Sequence, residues 1–308
     1  MNETEAMKAK KMMILAAISV GGSLGGCTEV SLGYPSDEGL VRIMPDWTGL
    51  SVPSRAACIF FRGGEPSTSY VYREVSPISF SVPLPSGTYR MLAYNSDASG
   101  VTYSSLREAD SARVSLNSTE QPGGVYAWSG EGLSVLASDT VEVRTVPRAL
   151  VKTLTLHFQL RGLDDPCSLK GLLSGVYPSL LLFTGEPPAS AISSAPQTAV
   201  AFSAELSPDT KGSSQLSGSS SVRLFGLLDP ENGSSYDNRL KLTLYDSEGT
   251  SRSAEVGLSG VLTEILAACS GELTVEVPVE ISIDLQWTDS ALVASVKAWS
   301  LGEGSGKV

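Results

Sequence analysis

The sequence has 308 residues and carries 22 Lys and Arg against 33 Asp and Glu, with one histidine and a formal net charge of −11. This charge argues against binding to nucleic acid, which needs a surplus of Lys and Arg to contact phosphates, and against a polybasic attachment to anionic lipid. Hydrophobic residues make up 42% and charged residues 18%, so the chain is too apolar to be disordered, and its length suits two domains.

The first 26 residues have the organisation of a secretory signal peptide. Three lysines, Lys8, Lys10 and Lys11, precede a short apolar run at residues 12–20, and small residues follow it. This run is shorter than the roughly 20 residues that a membrane span requires. Leu24–Gly25–Gly26–Cys27 resembles a bacterial lipobox, which implies cleavage before Cys27 and acylation of that cysteine. The alternative is an ordinary signal peptide with an incidental cysteine.

A tether and then a series of β-strands follow in the first half of the chain. Residues 27–39 are polar and interrupted by Gly and Pro, which is typical of a tether. The short apolar or alternating runs after it are separated by turn residues and predict strands. Thr88–Tyr94 is apolar on both faces, which indicates a central strand. The predicted strands are Leu40–Met44, Ala56–Arg62, Ser69–Glu74, Ile78–Val82, Thr88–Tyr94, Val101–Tyr103, Ala112–Leu116, Val125–Trp128 and Thr140–Val146.

The second half continues in the same style and adds one helix. Apolar residues recur at helical spacing from Leu258 to Cys269, and Ser259 is placed to cap the start of that helix. No repeated helical crossover exists, so we expect β-sandwiches and not a parallel sheet. A boundary near Pro147 gives two β-sandwich domains, residues 40–147 and 148–308. The predicted strands are Ala149–Leu160, Leu180–Thr184, Ala199–Leu206, Ser221–Phe225, Arg239–Tyr245, Glu272–Val277, Glu280–Trp287 and Leu292–Trp299.

The cysteines and the single histidine give little support for a catalytic or metal site. Apart from Cys27 there are three cysteines, Cys58, Cys167 and Cys269, which allow at most one internal disulfide. Cys167 with Cys269 would be the pair, but we favour three buried free thiols. No CxxC spacing supports a zinc site, and His157 falls on the polar face of a predicted strand. We therefore predict that the protein is not an enzyme and has no catalytic residue, metal site or cofactor.

Three other groups of residues could carry chemistry but have simpler explanations. Asn95–Ser96–Asp97 could ligate a cation, yet an Asx turn is favoured over a calcium loop. The acidic pairs Asp37–Glu38 and Asp164–Asp165 are expected to be solvated. The tryptophans could form a platform for sugars, but core packing is favoured for them; they are Trp47, Trp128, Trp287 and Trp299.

Four parts of the sequence together resemble a known protein family. They are the lipobox, Val41–Trp47, Leu84–Asp97 and Leu173–Glu186. They resemble cell-surface lipoproteins of the Bacteroidota, in a group classed as a domain of unknown function and related to the fimbrillin-associated anchor lipoproteins of type V pili. The resemblance implies an all-β fold of two tandem transthyretin-like β-sandwich domains. It also implies an outer-membrane lipoprotein at the cell surface, with pilin-like subunits as partners.

The expected function is that of a lipid-anchored structural or adhesion protein, a fimbrial anchor or accessory subunit. The alternative is a carbohydrate- or protein-binding surface lipoprotein associated with nutrient uptake. In such pili one chain's strand completes the sandwich of a neighbour, which uses main-chain ladder bonds. The segment Ala291–Trp299 is either a strand of this kind or the closing strand of the second domain, and the second interpretation is favoured.

Overall fold

The computed structural model describes residues 37–63, 70–189, 198–208, 214–227, 238–268 and 279–301. Up to residue 149, the strands are Glu38–Pro45 (β1), Ala56–Arg62 (β2), Tyr70–Val75 (β3), Phe80–Pro85 (β4), Gly87–Asn95 (β5), Val101–Ser104 (β6), Arg113–Leu116 (β7), Tyr126–Val135 (β8), Thr140–Thr145 (β9) and Arg148–Ala149 (β10). The later elements are Lys152–Arg161 (β11), Cys167–Ser174 (β12), Ser179–Leu181 (β13), Ala199–Pro208 (β14), Gln215–Leu224 (β15), Arg239–Tyr245 (β16), Ser251–Gly257 (β17), the helix Ser259–Ala268 (α1), Val279–Trp287 (β18) and Leu292–Leu301 (β19).

The protein is all-β with sandwich-like sheets. The first half is built around a central sheet with the strand order β10-β8-β5-β2-β3. A three-stranded β1 sheet, order β4-β1-β9, covers one face of it, and a β7 sheet, order β13-β7-β6, covers the other. Strand β2 is therefore buried on both faces. Its Cys58 and Phe60 pack towards the β1 sheet (core 1), whereas Ile59 and Phe61 pack towards the β7 sheet (core 2).

The first strand is held in the middle of its sheet. Strand β1 pairs antiparallel with β4 on one side and parallel with β9 on the other. Its inward side chains, Val41 and Ile43, are both 0% exposed in core 1. The predicted strand Leu40–Met44 is thus confirmed as part of β1.

The described residues of the second half form one eight-stranded sheet that folds over itself. Its order is β17-β16-β12-β14-β15-β11-β18-β19. Strands β14 and β15 pair only at Ser207–Ser217 and Pro208–Leu216 and then diverge. The two four-stranded halves of the sheet enclose a single core (core 3), and the end strands β17 and β19 come close together.

Segments from beyond residue 147 complete the first half. Strand β10 pairs with β8, and β13 pairs with β7. Core 2 contains four buried apolar side chains from this later part of the chain, Leu150, Leu180, Leu182 and Phe225. The predicted division into domains at residues 40–147 and 148–308 stays a prediction.

Most predicted strands are confirmed with shifted ends, and the exceptions have physical reasons. The predicted strand Ala149–Leu160 is broken because Leu150 turns into core 2, where its N–H donates to the carbonyl oxygen of Val125 at 2.9 Å. Strands β12 and β17 escaped prediction because the first contains a glycine and the second is made of small and polar residues. The predicted strand Leu180–Thr184 is shorter in the structure and begins one residue earlier, as β13 at Ser179–Leu181.

The predicted helix is confirmed as α1, with a different cap. The carbonyl oxygen of Leu258 accepts the first helical hydrogen bond from Leu262 at 2.8 Å, so Leu258 stands at the cap position. The prediction that Ser259 caps the helix is wrong, because its hydroxyl has no hydrogen-bond partner. The predicted strand Glu272–Val277 lies outside the described residues. No helix in the described ranges is both long and apolar enough to cross a membrane.

Candidate functional site

The predicted lipidation site, Cys27, lies outside the described residues, so its acylation stays a prediction. Of the other cysteines, Cys58 and Cys167 are buried free thiols, in agreement with the favoured interpretation, and Cys269 also lies outside the described part. Burial raises the pKa of the Cys167 thiol to about 11, with the nearby carboxylates Glu205 and Asp246 adding to the rise. Burial also raises the pKa of Cys58. Both thiols are therefore protonated and unreactive near neutral pH.

His157 lies on the outward face of β11, as predicted. It alternates with the buried Leu156 and Phe158, and its Nε2 lies 3.6 Å from the Glu280 carboxylate on the neighbouring strand. Within the described ranges, no three His, Cys, Asp or Glu residues are grouped closely enough to hold a metal ion.

The Asn95–Asp97 turn is structural. The Asp97 carboxylate accepts hydrogen bonds from the backbone N–H groups of Ser54 and Arg55 and from the Asn95 side chain at 2.9–3.2 Å. Asn95 in turn binds the backbone of Gly124 and Tyr126. These bonds tie three loops together, and they use the oxygens that a cation would need.

The tryptophans do not form one platform. Trp128 is buried in core 1, where Trp47 packs edge-on against it with ring centroids 5.3 Å apart. Trp287 and Trp299 belong to the second half, where Arg252 covers the first ring and Glu264 accepts a hydrogen bond from the second. The acidic residues Asp164 and Asp165 are exposed, as expected for a solvated pair.

The C-terminal segment is paired inside the monomer. Strand β19 is hydrogen-bonded to β18 from Leu292 to Leu301, with one bulge opposite Ser282 and Ile283. Val296 and Trp299 pack against core 3 on either side of this bulge. This pairing favours the closing-strand interpretation of Ala291–Trp299 over a free assembly strand.

A first open cleft lies in the first half, between the edge strands β3 and β6. Three tyrosines, Tyr70, Tyr72 and Tyr103, line it together with Arg107 and Arg113, and its volume is about 680 Å³. The alternation of Tyr70 and Tyr72 in the sequence already placed them on one face. The Tyr103 hydroxyl donates to the carbonyl oxygen of Asn95 at 2.6 Å, so one of these rings already has a structural role.

A second, larger groove lies on the outer face of the eight-stranded sheet, across β14, β12, β16 and β17. Its volume is about 1010 Å³. Strand register places outward side chains in two rows across the four strands. The first row is Ser203, Lys170, Thr243 and Ser253, and the second is Ala201, Leu172, Lys241 and Glu255. We call this surface the lysine groove, after Lys170 and Lys241. Sequence reasoning missed it, because each strand contributes only two side chains to the two rows and the four strands are far apart in the chain.

No protein-family model matches the sequence, and no curated protein matches it either. Among solved structures, a candidate adhesin from Bacteroides ovatus matches with a TM-score of 0.57 at 15% identity, over 79% of this chain and 90% of that one. A candidate adhesin from Bacteroides thetaiotaomicron matches with a TM-score of 0.50 at 12% identity, over 87% and 98% of the two chains. A fimbrial anchor protein from Porphyromonas gingivalis is aligned over 85% and 96%, with a TM-score of 0.48 at 12% identity.

Identities this low show a shared fold alone, and the two Bacteroides proteins carry that conclusion with TM-scores of 0.50 or above. Both are covered over nine-tenths or more of their length, so the likeness extends over whole chains. In fold, the chain is therefore similar to adhesin-type proteins of the Bacteroidota, as the resemblance in its sequence implied.

Proposed function

We propose that this chain is a lipid-anchored cell-surface protein of the adhesion or fimbrial type, acting as the anchor or an accessory subunit of a pilus-like assembly. The lipobox at Leu24–Cys27 supports the lipid anchor. The fold shared with candidate adhesins supports the cell-surface role. Pilin-like subunits are the partners in this proposal, and the outer membrane is the site of attachment.

The position of β1 is the observation that carries the proposal. This strand begins at Glu38, eleven residues after Cys27. At about 3.5 Å per residue, an extended tether spans at most about 40 Å, so the folded body stays near the membrane surface. The tether leads into the middle strand of the β1 sheet, where Val41 and Ile43 are fully buried.

Replacing β1 by a strand from another chain would cost considerable free energy. Removing β1 would break the ladders to both β4 and β9. It would also expose Val41 and Ile43, each worth about 1.5–3 kcal/mol of burial. A chain whose N-terminal strand is fixed in this way suits the base of an assembly better than a subunit that gives up that strand to a neighbour.

The experiment is the substitution Cys27→Ser in the natural host. We expect the protein to move from the outer-membrane fraction to the soluble fraction, because the lipid chains supply the attachment. If the protein anchors a fibre, the same cells should release surface fibres into the medium. Ser31→Ala, in the tether but outside the lipobox, is the matched control and should change neither distribution.

Two outcomes separate the parts of the proposal. If the Cys27→Ser protein stays in the membrane fraction, the lipid anchor is wrong. If it is released while the fibres remain on the cells, the lipid anchor stands and the fimbrial role is wrong. In either case we expect the purified protein to show no hydrolytic turnover on glycoside, ester or peptide substrates.

A further inference from the structure

The residues that line the lysine groove carry a formal surplus of one positive charge, although the protein as a whole is acidic. The net charge of the chain is −11, and the part that the structure describes contains four lysines, Lys152, Lys170, Lys241 and Lys297. Two of these four, Lys170 and Lys241, line the same groove. A local surplus of positive charge against the overall balance indicates a site for an anion.

The two lysines are diagonal neighbours, and the residues that line the groove include one carboxylate, Glu255. A second, Glu205 on β14, is the diagonal neighbour of Lys170 on the other side. Lys170 stands opposite Thr243 and Lys241 stands opposite Leu172 on the paired strands β12 and β16, so the two side chains leave the sheet about 7 Å apart. The groove's carboxylate is Glu255, which Arg239 contacts at 2.5 Å and Lys241 at 3.8 Å. Lys170 has no ion-pair partner within the described ranges.

The rest of the groove has the chemistry of a sugar-binding surface. Hydroxyl groups of Ser203 and Thr243 flank Lys170 in the first row, and the Ser253 hydroxyl lies 2.9 Å from that of Thr243. Hydroxyls can both donate to and accept from sugar hydroxyls. The Tyr245 ring lies below Lys170, with the ammonium nitrogen 5.3 Å from its centroid. Leu172, 38% exposed, gives an apolar floor.

The shape of the groove suits a polymer. Four strands at about 4.8 Å spacing make a track of about 14 Å across the sheet. Gln121, from the first half of the chain, lines the groove where β14 and β15 separate. An extended ligand can therefore cross all four strands.

We propose that this lysine groove binds an anionic polysaccharide, with Lys170 and Lys241 contacting its carboxylate or sulfate groups and the hydroxyl row contacting its sugar hydroxyls. This site gives the chain a ligand class that an anchoring role does not require. It depends neither on the lipid at Cys27 nor on pilin-like partners, so it can fail or succeed separately from the function proposed above.

The test measures binding of the full-length protein in detergent to polygalacturonate and to its fully methyl-esterified form, which has the same sugar backbone without the charge. We expect binding to the acid form alone, weakening as salt is raised because the contacts are exposed and screened. The double variant Lys170→Gln/Lys241→Gln should raise Kd by about tenfold. Dextran sulfate against dextran tests sulfate groups in the same way.

Lys297→Gln is the matched control, because Lys297 is an exposed lysine on β19 whose ammonium contacts Gln159 and Asp284 and lies outside the groove. Circular dichroism and the thermal midpoint should be unchanged in all variants. The proposal is overturned if neither anionic polysaccharide binds, or if Lys297→Gln weakens binding as much as the double variant. Equal binding of polyglutamate would also overturn it, because the groove would then recognise negative charge without the sugar.

Discussion

At the scale of single residues, Gln121 connects the two halves of the molecule. It lies in the gap where β14 and β15 separate, and its side-chain amide hydrogen-bonds to the backbone of both strands. Its Nε2 donates to the carbonyl oxygen of Ala201 at 2.9 Å, and its Oε1 accepts from the N–H of Arg223 at 3.0 Å. The N–H of Ala201 donates to the carbonyl oxygen of Thr119 at 2.8 Å. One loop thus satisfies backbone groups that the diverging strands leave unpaired.

We expect Gln121→Ala to lower the free energy of unfolding by about 1–3 kcal/mol, because two backbone groups of the sheet lose their partner. Urea denaturation measures the change. Glu120→Ala, an exposed neighbour in the same loop, is the control and should stay within about 0.5 kcal/mol of the original protein. Equal effects from the two substitutions would show that the bridge contributes nothing to stability.

Asp97 gives the fold a dependence on pH. Partial burial pushes its pKa upwards, but hydrogen bonds from Asn95 and Ser54 outweigh this and hold the pKa below its ordinary value of 3.8. A lowered pKa in the folded state means that the contribution to stability is present above about pH 3.8 and is lost as the pH falls through the lowered value.

The measurable consequence is a difference between the original protein and Asp97→Asn. The urea midpoint of the variant should be lower at about pH 6, and the gap should shrink as the pH falls below about 3.8. Asp164→Asn, at an exposed aspartate, should show no such gap. A gap for Asp97→Asn that is constant across this range would contradict the assigned role of the carboxylate.

At the scale of elements, β19 decides how the second half is closed. It pairs along the whole of β18. The bulge near Lys297 shifts the alternation, so that both Val296 and Trp299 reach core 3. The indole N–H of Trp299 also donates to Glu264 on α1 at 2.8 Å, which ties the strand to the helix. These contacts are those of a structural strand.

Deleting residues 291–308 should therefore abolish cooperative unfolding of the second half, because β18 loses its ladder and core 3 loses one wall. Differential scanning calorimetry measures this. Val293→Thr, at an exposed position of β19, is the control and should leave the transition in place. A truncated protein that stays folded but no longer captures pilin-like subunits would instead make this segment an assembly strand.

At the scale of the whole molecule, the two halves share structure across residue 147. Core 2 takes Leu150, Leu180, Leu182 and Phe225 from the later part of the chain. Burial of each such side chain is worth about 1.5–3 kcal/mol. Their sum is comparable with the whole stability of an ordinary domain, about 5–15 kcal/mol. The first half therefore depends on the second for its core.

We expect residues 37–147 expressed alone to lack a cooperative thermal transition, since β10, β13 and those four side chains are missing. Mixing this fragment with residues 148–308 should restore part of the transition if the two halves recognise each other. Cooperative unfolding of residues 37–147 alone would instead support an independent domain ending at residue 147, as the sequence predicts.

The sequence by itself determined the local features of this protein. Alternation with a period of two is a property of neighbouring residues, so it placed most strands, the buried faces of β5 and the outward side of His157 without any knowledge of the fold. The same periodicity argument placed α1. The resemblance at Leu84–Asp97 and Leu173–Glu186 likewise pointed to the fold that the solved structures share.

The tertiary structure alone decided which strands are neighbours. Gln121 and Arg223 are 102 residues apart in the chain, and β13 pairs with a strand of the first half, neither of which leaves a local pattern. The lysine groove depends on the same kind of information. Lys170 and Lys241 become neighbours only because β12 pairs with β16 in one particular register, and a strand's own sequence does not specify the partner that it will lie beside.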